Sequence, residues 1–376
     1  MSPDPTTFTP ALEKICTEIA ATDAAAVDHG AFPERAVSAL FAAGLMGAFS
    51  APELGGLALG LRGAAAIVGR LARDCGSTAM VVCMHFCATA VLEAFGSREV
   101  RQAAAGGGHL STLAFSEAGS RSHFWAPVGT ATRHNGQVTL NARKSWVTSA
   151  SRATAYVWSS QPVTPGAGLS TLWLVPSKTS GIEVQGSFDG LGLRGNDSSP
   201  VSADDVRLPE AAMLGEDGKG FDIMMSAVLP MFNVLNAACS VGIMTSAVER
   251  TVQHASGVRY AHLGSALADL PTIRSYIARM RVKTDMARTL LGDTILALED
   301  GRPDALLGVM SCKAAAAEAA IDVVEMAMRV CGGAAFRKDL AVERCFRDAH
   351  AAGVMGPTTD VLYDFIGKAL CGQPLF

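Results

Sequence analysis

Up to about Gly108, apolar residues recur at steps of three and four among alanines, leucines and acidic residues. That spacing is typical of helices that bury one face. Pro33 stands where a proline opens a helix, and the glycine-rich stretch from Ser50 to Gly60 predicts a loop between helices. Residues 1–109 are therefore predicted to form an all-helical N-terminal domain.

The pattern changes at Leu110, where β-branched and aromatic residues begin to alternate with polar ones. From Val138 to Arg143 every second residue is apolar, as in a strand with one buried face. Asn135-Gly136 precedes this run and predicts a type I′ hairpin turn, because both residues tolerate a positive φ. Residues 110–214 are predicted to form a compact β domain, with further strands at Ala153–Ser160, Leu169–Val175 and Val201–Leu208.

Helical spacing returns after Gly215 and continues to the end of the chain. Pro303 and Asp304 open one of these helices and Gly332-Gly333 closes it, which matches the usual residues of helix ends. Residues 215–376 are predicted to form a helical bundle, with helices near 219–256, 267–300, 303–331, 337–350 and 358–371.

The composition argues against nucleic-acid-binding, secreted and membrane-spanning proteins. A net charge of -4 without a cluster of lysines and arginines gives no footprint for nucleic acid. Nine scattered cysteines without a CxxC pair predict free thiols in a reducing compartment, and the N-terminus has no secretory pattern. Charged residues interrupt the apolar stretch from Ala305 to Val330, so no membrane span is expected. We therefore expect a cytoplasmic globular protein.

No metal site is expected. Cys83 and Cys87 flank His85 and share a helix face at a spacing of four residues. Two thiols and one imidazole leave a zinc site incomplete, so buried inert cysteines are the better interpretation.

Four stretches of the chain resemble the acyl-CoA dehydrogenase family, in that family's order. Leu113 to His123 (LAFSEAGSRSH) resembles its flavin-binding stretch VTEPGAGSD, and Lys144 to Ser149 (KSWVTS) resembles its K-x-W-I-T-N strand. Leu191 to Leu214 is similar to LGMRGSDTSPVxFDDVRVP, and Cys331 to Ala349 is similar to FGGxGYxxxxPVERxxRDA. The resemblance implies an α+β multidomain fold with a helical N-domain, a small β-barrel-like middle domain and a C-terminal four-helix-type bundle.

The resemblance also implies FAD as the cofactor. Short hydroxyls near strand ends suit a phosphate-bearing cofactor, and the indole of Trp146 suits a face of its ring system; taken as a residue of the β domain alone, Trp146 would be a core aromatic. The positions that match the family's flavin contacts are Phe115, Ser116, Ser122, Trp146, Val147, Thr148, Gly332, Gly333 and Thr358. In the family the last three often come from a neighbouring subunit, which implies a homodimer or homotetramer.

Further implied partners are the substrate and an electron acceptor. The resemblance implies an acyl-CoA or acyl-carrier-protein thioester as substrate, with Ser122 near its pantetheine arm and Asn233 at a position where an arginine is common. The implied acceptor is an electron-transfer flavoprotein or oxygen. Arg347-Asp348 is interpreted as a structural pair at a helix end, and Asn196-Asp197 as a turn.

The catalytic base of the family is missing at both of its usual positions. Most members carry a glutamate in the phrase YEGTSDIQ, and this chain has Gly356 there; a minority carry it on the first bundle helix, where this chain has Phe232. The candidates for a displaced base are Asp360, Glu117, His85 and His123. Each has a structural alternative: a helix N-terminal acid, a scaffold carboxylate, a satisfied helix residue and a surface loop residue, in that order.

Three functions remain open from the sequence. The first is α,β-dehydrogenation of an acyl thioester by hydride transfer to flavin, with a base elsewhere. The second is a flavin-dependent monooxygenase or oxidase, in which oxygen reacts with the reduced flavin and no α-proton base is needed. The third is a non-catalytic homologue that binds an acyl group or flavin, and the well-preserved flavin phrases argue against it.

Overall fold

The computed structural model describes residues 9–121, 123–262 and 264–375. The N-terminal region is helical, and a π turn at Cys16–Ala20 joins its first two helices. One helix, Gly76–Phe95, is buried on nearly all sides and forms the centre of this region. The N-terminal helices are α1 (Thr9–Ile15), α2 (Ala21–Asp28), α3 (Glu34–Ala42), α4 (Gly60–Ala72), α5 (Gly76–Phe95) and α6 (Arg98–Gly106).

Two four-stranded sheets make up the middle region. One has the order β1-β4-β5-β8, with β1 parallel to β4, and the other has the order β2-β3-β7-β6. Asn135 and Gly136 have φ values of 50° and 75° and form the predicted hairpin turn. The strands are β1 (Ser111–Ala114), β2 (Thr130–His134), β3 (Gln137–Val147), β4 (Ala155–Ser160), β5 (Thr171–Pro176), β6 (Ile182–Val184), β7 (Ser199–Pro209) and β8 (Met213–Leu214).

The C-terminal region is a helical bundle. Its first helix passes through a π turn at Met224–Val228, Asp304 lies at the N-cap of a long central helix, and Gly332 follows the end of that helix with a φ of 57°. The helices are α7 (Gly220–Ile223), α8 (Leu229–Gly257), α9 (Pro271–Glu299), α10 (Ala305–Cys331), α11 (Val342–Ala349), α12 (Ala351–Val354) and α13 (Thr359–Leu370).

The helical regions at both ends of the chain share one hydrophobic core, whereas the sheets have a core of their own. Helices α4 and α5 pack against α8, which brings the N-terminal helices onto the bundle. The second core lies between the sheets and includes Trp158 and Trp173. The middle region is therefore a separately packed unit beside a continuous helical body.

Two helices are long and apolar enough to cross a membrane, judged by length and composition alone: Gly76–Phe95 and Gly220–Gly257. Most of each helix is buried within the protein, as in the core helices of globular proteins, so this is weak evidence for a span. The expectation of no membrane span stays a prediction.

Candidate active site

The first and second family-like stretches meet in the middle region. Ser116 follows β1, and its carbonyl accepts a hydrogen bond from the Ser145 backbone N–H of β3 at 2.8 Å. Phe115 is buried and stacks on Phe124, with ring centroids 6.3 Å apart. The fold thus brings the predicted flavin contacts of the two stretches side by side.

Trp146 presents an aromatic face to solvent. It has a φ of 57° at an irregularity in the pairing of β3 with β7, and its side chain is 71% exposed. A bulge of this kind re-aims a side chain, and a positive φ in a bulky residue is an uncommon, strained conformation. The indole and the Phe188 ring are nearly perpendicular, with their centroids 6.5 Å apart. The alternative interpretation of Trp146 as a core aromatic is wrong, because the bulge turns the indole outward, where a planar ligand can cover it.

The residues after Trp146 connect this face to a turn. Val147 is buried, and the Thr148 hydroxyl lies 3.1 Å from the Ser198 hydroxyl. The carboxylate of Asp197 accepts hydrogen bonds from the Ser151 backbone N–H and hydroxyl, both at 2.7 Å. Asp197 itself has a φ of 54°, so Asn196-Asp197 forms the predicted turn.

A buried ion pair supports the stretch around Ser116. Glu117 lies 2.5 Å from the Lys144 ammonium and accepts hydrogen bonds from the backbone N–H groups of Val128 and Gly129 at 2.8 and 2.9 Å. Burial lowers the pKa of Lys144 to about 8, against the opposing effect of the Glu117 carboxylate. With both oxygens of Glu117 engaged, the geometry favours its interpretation as a scaffold carboxylate. The pairing with Lys144 was not foreseen from the sequence.

His85 is enclosed between α5 and β1. Its Nδ1 accepts a hydrogen bond from the Ser111 backbone N–H at 3.2 Å, and its Nε2 lies 3.3 Å from the Met46 carbonyl oxygen. Burial, with a smaller contribution from His109, lowers the pKa of His85 to about 3, so its imidazole is neutral at physiological pH. These contacts are those of a satisfied helix residue.

The other two candidate bases are exposed. Asp360 lies in the first turn of α13, where a carboxylate complements the helix dipole. His123 lies on the loop after β1, and its ring contacts the Trp125 ring at a centroid distance of 5.1 Å. Both positions fit the structural alternatives, and the role of a base at either stays a prediction.

The two positions where the family keeps its base lie near one another in the bundle. Phe232 is buried on α8, and the Lys313 ammonium lies 5.9 Å from the centre of its ring. The same ammonium donates hydrogen bonds to the carbonyls of Met355 and Pro357, the neighbours of Gly356. Lys313 was not identified from the sequence, because a single lysine in an alanine-rich helix carries no motif.

Two buried asparagines of α8 have unpartnered amide atoms. Asn233 is fully buried, and neither atom of its amide has a hydrogen-bond partner. Asn236 donates a weak hydrogen bond to the Met355 sulfur at 3.4 Å, and its amide oxygen is unpartnered. Buried amides without partners are rare, so they are candidates for contact with a ligand. Asn233 was predicted to bind substrate, and Asn236 was not.

The remaining predicted flavin contacts lie at the ends of bundle helices. Gly332 and Gly333 are exposed after α10, and Phe336 in the same short segment is 78% exposed. Thr358 is the N-cap of α13, where its hydroxyl accepts from the Val361 backbone N–H. Ser122 lies outside the described residues. The structure places these positions, and their roles in binding flavin stay predictions.

The predicted pairing of Arg347 with Asp348 is wrong. The Arg347 guanidinium instead pairs with Asp28 and Glu343 at 2.7 Å, because adjacent helix residues point in different directions. Asp348 accepts a hydrogen bond from the Leu193 backbone N–H at 2.6 Å. Burial raises the pKa of Asp348 to about 6. Both residues remain structural, but they join α11 to two other parts of the chain.

Comparison with known proteins covers nearly the whole chain. Residues 3–107, 112–206 and 218–371 match the N-terminal, middle and C-terminal domains of acyl-CoA dehydrogenase. The chain is 30% identical over 338 residues to the mitochondrial short-chain specific acyl-CoA dehydrogenase of Homo sapiens, covering 88% of this chain and 81% of that protein.

Solved structures share the fold. Butyryl-CoA dehydrogenase from Megasphaera elsdenii superposes with a TM-score of 0.92 at 22% identity, covering 99% of both chains. The prolyl acyl carrier protein oxidase AnaB superposes with a TM-score of 0.88 at 19% identity, covering 98% of this chain and 99% of that one.

These matches confirm the predicted fold class, a helical N-domain, a sheet middle domain and a helical C-domain. They also confirm the predicted class of enzyme, a flavin-dependent oxidoreductase of the acyl-CoA dehydrogenase type. The chain belongs to the acyl-CoA dehydrogenase family.

Proposed function

We propose that the protein binds FAD and uses it to oxidise an acyl thioester between the α and β carbons. The observation that carries the proposal is the exposed indole of Trp146, held by the β3 bulge beside Ser116 and Thr148. An aromatic plane next to short hydroxyls offers a ring system stacking area and its polar edge hydrogen bonds. FAD bound there supplies the hydride acceptor.

The substrate is proposed to be an acyl-CoA or an acyl-carrier-protein thioester. Relatives of both kinds share this fold, among them a butyryl-CoA dehydrogenase and a prolyl acyl carrier protein oxidase. The unpartnered amide of Asn233 is proposed to contact the substrate. The electron acceptor is an electron-transfer flavoprotein in a dehydrogenase and oxygen in an oxidase.

A specific observation keeps the second function, an oxidase or monooxygenase, in view. Dehydrogenation requires a group that removes the α-proton. Neither Gly356 nor Phe232 provides one, while Glu117 and His85 are engaged by buried partners. A monooxygenase whose flavin is reduced by a separate reductant needs no such base, because oxygen reacts directly with the reduced flavin.

The protein is proposed to act as a homodimer or homotetramer in the cytoplasm. Gly332 and Gly333 are exposed beside the exposed ring of Phe336, where a second copy can bury apolar surface. The cytoplasmic location rests on the free thiols, since the cysteines of the described residues form no disulfide.

The test begins with the absorption spectrum of the purified protein, which is expected to show flavin bands. Anaerobic bleaching by butyryl-CoA supports oxidation of the thioester, and oxygen uptake with the thioester alone then identifies an oxidase. Oxygen uptake that requires an added reductant supports the monooxygenase. A colourless protein that takes up no FAD would contradict both.

Two variants at one position sharpen this test. Gly356→Glu places a carboxylate where the family has its base and is expected to speed bleaching by butyryl-CoA. Gly356→Gln has a similar size without a proton acceptor and is the matched control. Equal effects of the two substitutions would refute a role for proton removal at this position.

A further inference from the structure

Lys313 is a buried cation whose hydrogen-bond partners are all backbone carbonyls. Its side chain is fully buried in α10, and its ammonium donates to the carbonyl oxygens of Ala352, Met355 and Pro357 at 3.0, 3.0 and 2.8 Å. Among the described residues, no carboxylate lies within 4.0 Å of it. An ammonium has three protons, and all three are used.

The three carbonyls belong to one short segment. Residues 352–357 run from the short helix α12 to Thr358, the N-cap of α13, and the segment includes Gly356. Among the described residues, the other side-chain hydrogen bond between this segment and another helix is a weak one, from the Asn236 amide of α8 to the Met355 sulfur. The lysine is therefore the main polar attachment of this segment to the rest of the bundle.

Burial of this lysine is unfavourable for the stability of the fold. Burying an ammonium without a carboxylate is unfavourable, and burial lowers the pKa of Lys313 to about 7. Charge-assisted hydrogen bonds, however, fix the geometry of their acceptors more strictly than apolar packing does. A cation at this place therefore fixes the 352–357 backbone in one position against Phe232 of α8, which lies under the same ammonium.

We propose that Lys313 is a positioning residue for the oxidation: it fixes the 352–357 backbone beside α8, next to the flavin contact predicted at Thr358, and so sets where the acyl group and flavin meet. The proposal rests on the proposed function. It assigns Lys313 no contact with the reacting atoms. Its effect passes through the segment, because displacement of a neighbouring wall by about 1 Å is enough to lower a rate about 100-fold.

The test compares three variants of the full-length holoenzyme. Lys313→Met keeps the length of the side chain and removes the charge, and Lys313→Arg keeps the charge. Lys283→Met is the matched control, because Lys283 is an exposed lysine on α9 that pairs with Asp322. The readouts are the rate and the half-saturating concentration of anaerobic flavin bleaching by butyryl-CoA, and the fraction of FAD retained on dilution.

We expect Lys313→Met to lower the maximal bleaching rate about 100-fold, with little change in half-saturation, and to lose FAD on dilution because Thr358 follows the segment. Lys313→Arg is expected to recover part of the rate, and Lys283→Met to match the parent. A folded Lys313→Met protein with the parent's rate and FAD retention would overturn the proposal, as would Lys313→Arg without any recovery of rate.

Two other results of the experiment need a second measurement: a Lys313→Met variant that does not fold, and a parent protein that butyryl-CoA does not bleach. If Lys313→Met does not fold, the test passes to Lys313→Gln, which also removes the charge and contradicts the proposal if it binds FAD and is bleached like the parent. If butyryl-CoA does not bleach even the parent, the proposed reaction with this thioester fails. FAD retention then tests the positioning of Thr358 by itself, since only the Lys313 variants are expected to lose the cofactor.

Discussion

Replacement of Glu117 by glutamine tests how the middle domain holds the flavin-facing stretch. The carboxylate is buried, with one oxygen 2.5 Å from the Lys144 ammonium and the other bound to two backbone N–H groups. Glutamine has the same shape but only one acceptor oxygen. Either the Lys144 ammonium or the N–H groups of Val128 and Gly129 then face an amide NH₂.

The expected loss of stability is large because the remaining charge is buried. Removing one partner of a buried ion pair costs about 3–5 kcal/mol. Removing both, as in Glu117→Gln with Lys144→Met, is expected to cost less than the sum of the single substitutions, since no unpaired charge remains. Lys144 still donates to the Ser159 and Phe115 carbonyls, which places the expected loss for Glu117→Gln near the lower end, about 3 kcal/mol.

The loss is also expected to depend on pH. Glu117 raises the pKa of Lys144, which burial has lowered to about 8 from 10.5, so without Glu117 that pKa falls further. A lysine whose folded pKa is depressed binds fewer protons than it does in the unfolded chain, and stability then rises with pH from the folded pKa to 10.5. The deficit of Glu117→Gln should therefore shrink between pH 7 and pH 9.

The assay is denaturant unfolding at pH 7 and pH 9, followed by tryptophan fluorescence, for the two single variants and the double variant. Glu183→Gln, at an exposed position on β6, is the control and should unfold like the parent. A deficit under 1 kcal/mol for Glu117→Gln at pH 7 would refute the reasoning, as would a double variant that loses the full sum of the single losses.

Three further predictions follow from individual side chains. The pKa of Asp348 is raised to about 6, so the parent loses stability as pH rises from 4 to 7, and Asp348→Asn does not. The free energy of unfolding of Asp348→Asn, measured against that of the parent, should therefore increase by roughly 2–3 kcal/mol from pH 4 to pH 7. The same difference in free energy at both pH values would contradict this. Asn233→Leu should raise the stability of the substrate-free protein by about 1 kcal/mol while weakening thioester binding in calorimetry, and it is destabilising instead if the amide is satisfied by water. FAD should protect the fluorescence of the cofactor-stripped protein from acrylamide, and Trp146→Phe should abolish that protection, since the other three tryptophans, Trp125, Trp158 and Trp173, are buried; equal protection in the variant would exclude stacking on Trp146.

The fold could be predicted because the hydrophobic period changes twice along the chain. The change from helical spacing to alternation at Leu110, and the reverse change at Gly215, mark the passage from helices to sheets and back. Other features lie beyond the period. Helix α5 is buried on almost every side and so has no polar face to mark it, and the parallel pairing of β1 with β4 joins strands about forty residues apart.

Some residues of the candidate site could likewise be predicted from the sequence, and others could not. Ser116 and Trp146 belong to two phrases whose resemblance to the family predicted a shared site, and the hydrogen bond from the Ser145 backbone N–H to the Ser116 carbonyl brings the two phrases together. Lys144 and Lys313 act through partners far along the chain, and several of those partners are backbone carbonyls, which are the same in every residue. No pattern of side chains in the sequence predicts such a contact, so the roles of these two lysines are visible only in the folded structure.

Lys313 also affects how a base introduced at residue 356 would behave. Lys313 donates to the carbonyls on both sides of Gly356, so a carboxylate introduced at residue 356 would stand close to a buried positive charge. A nearby cation lowers the pKa of a carboxyl group, which keeps the group ionised at neutral pH but makes it a weaker base. Burial lowers the pKa of Lys313 to about 7, so the charge is present only below that pH, and the gain from Gly356→Glu should be nearly constant between about pH 5 and pH 7. A gain that appears only above pH 7 would mean that the introduced carboxyl does not feel this charge, and that the 352–357 segment does not lie against Lys313 in the working enzyme.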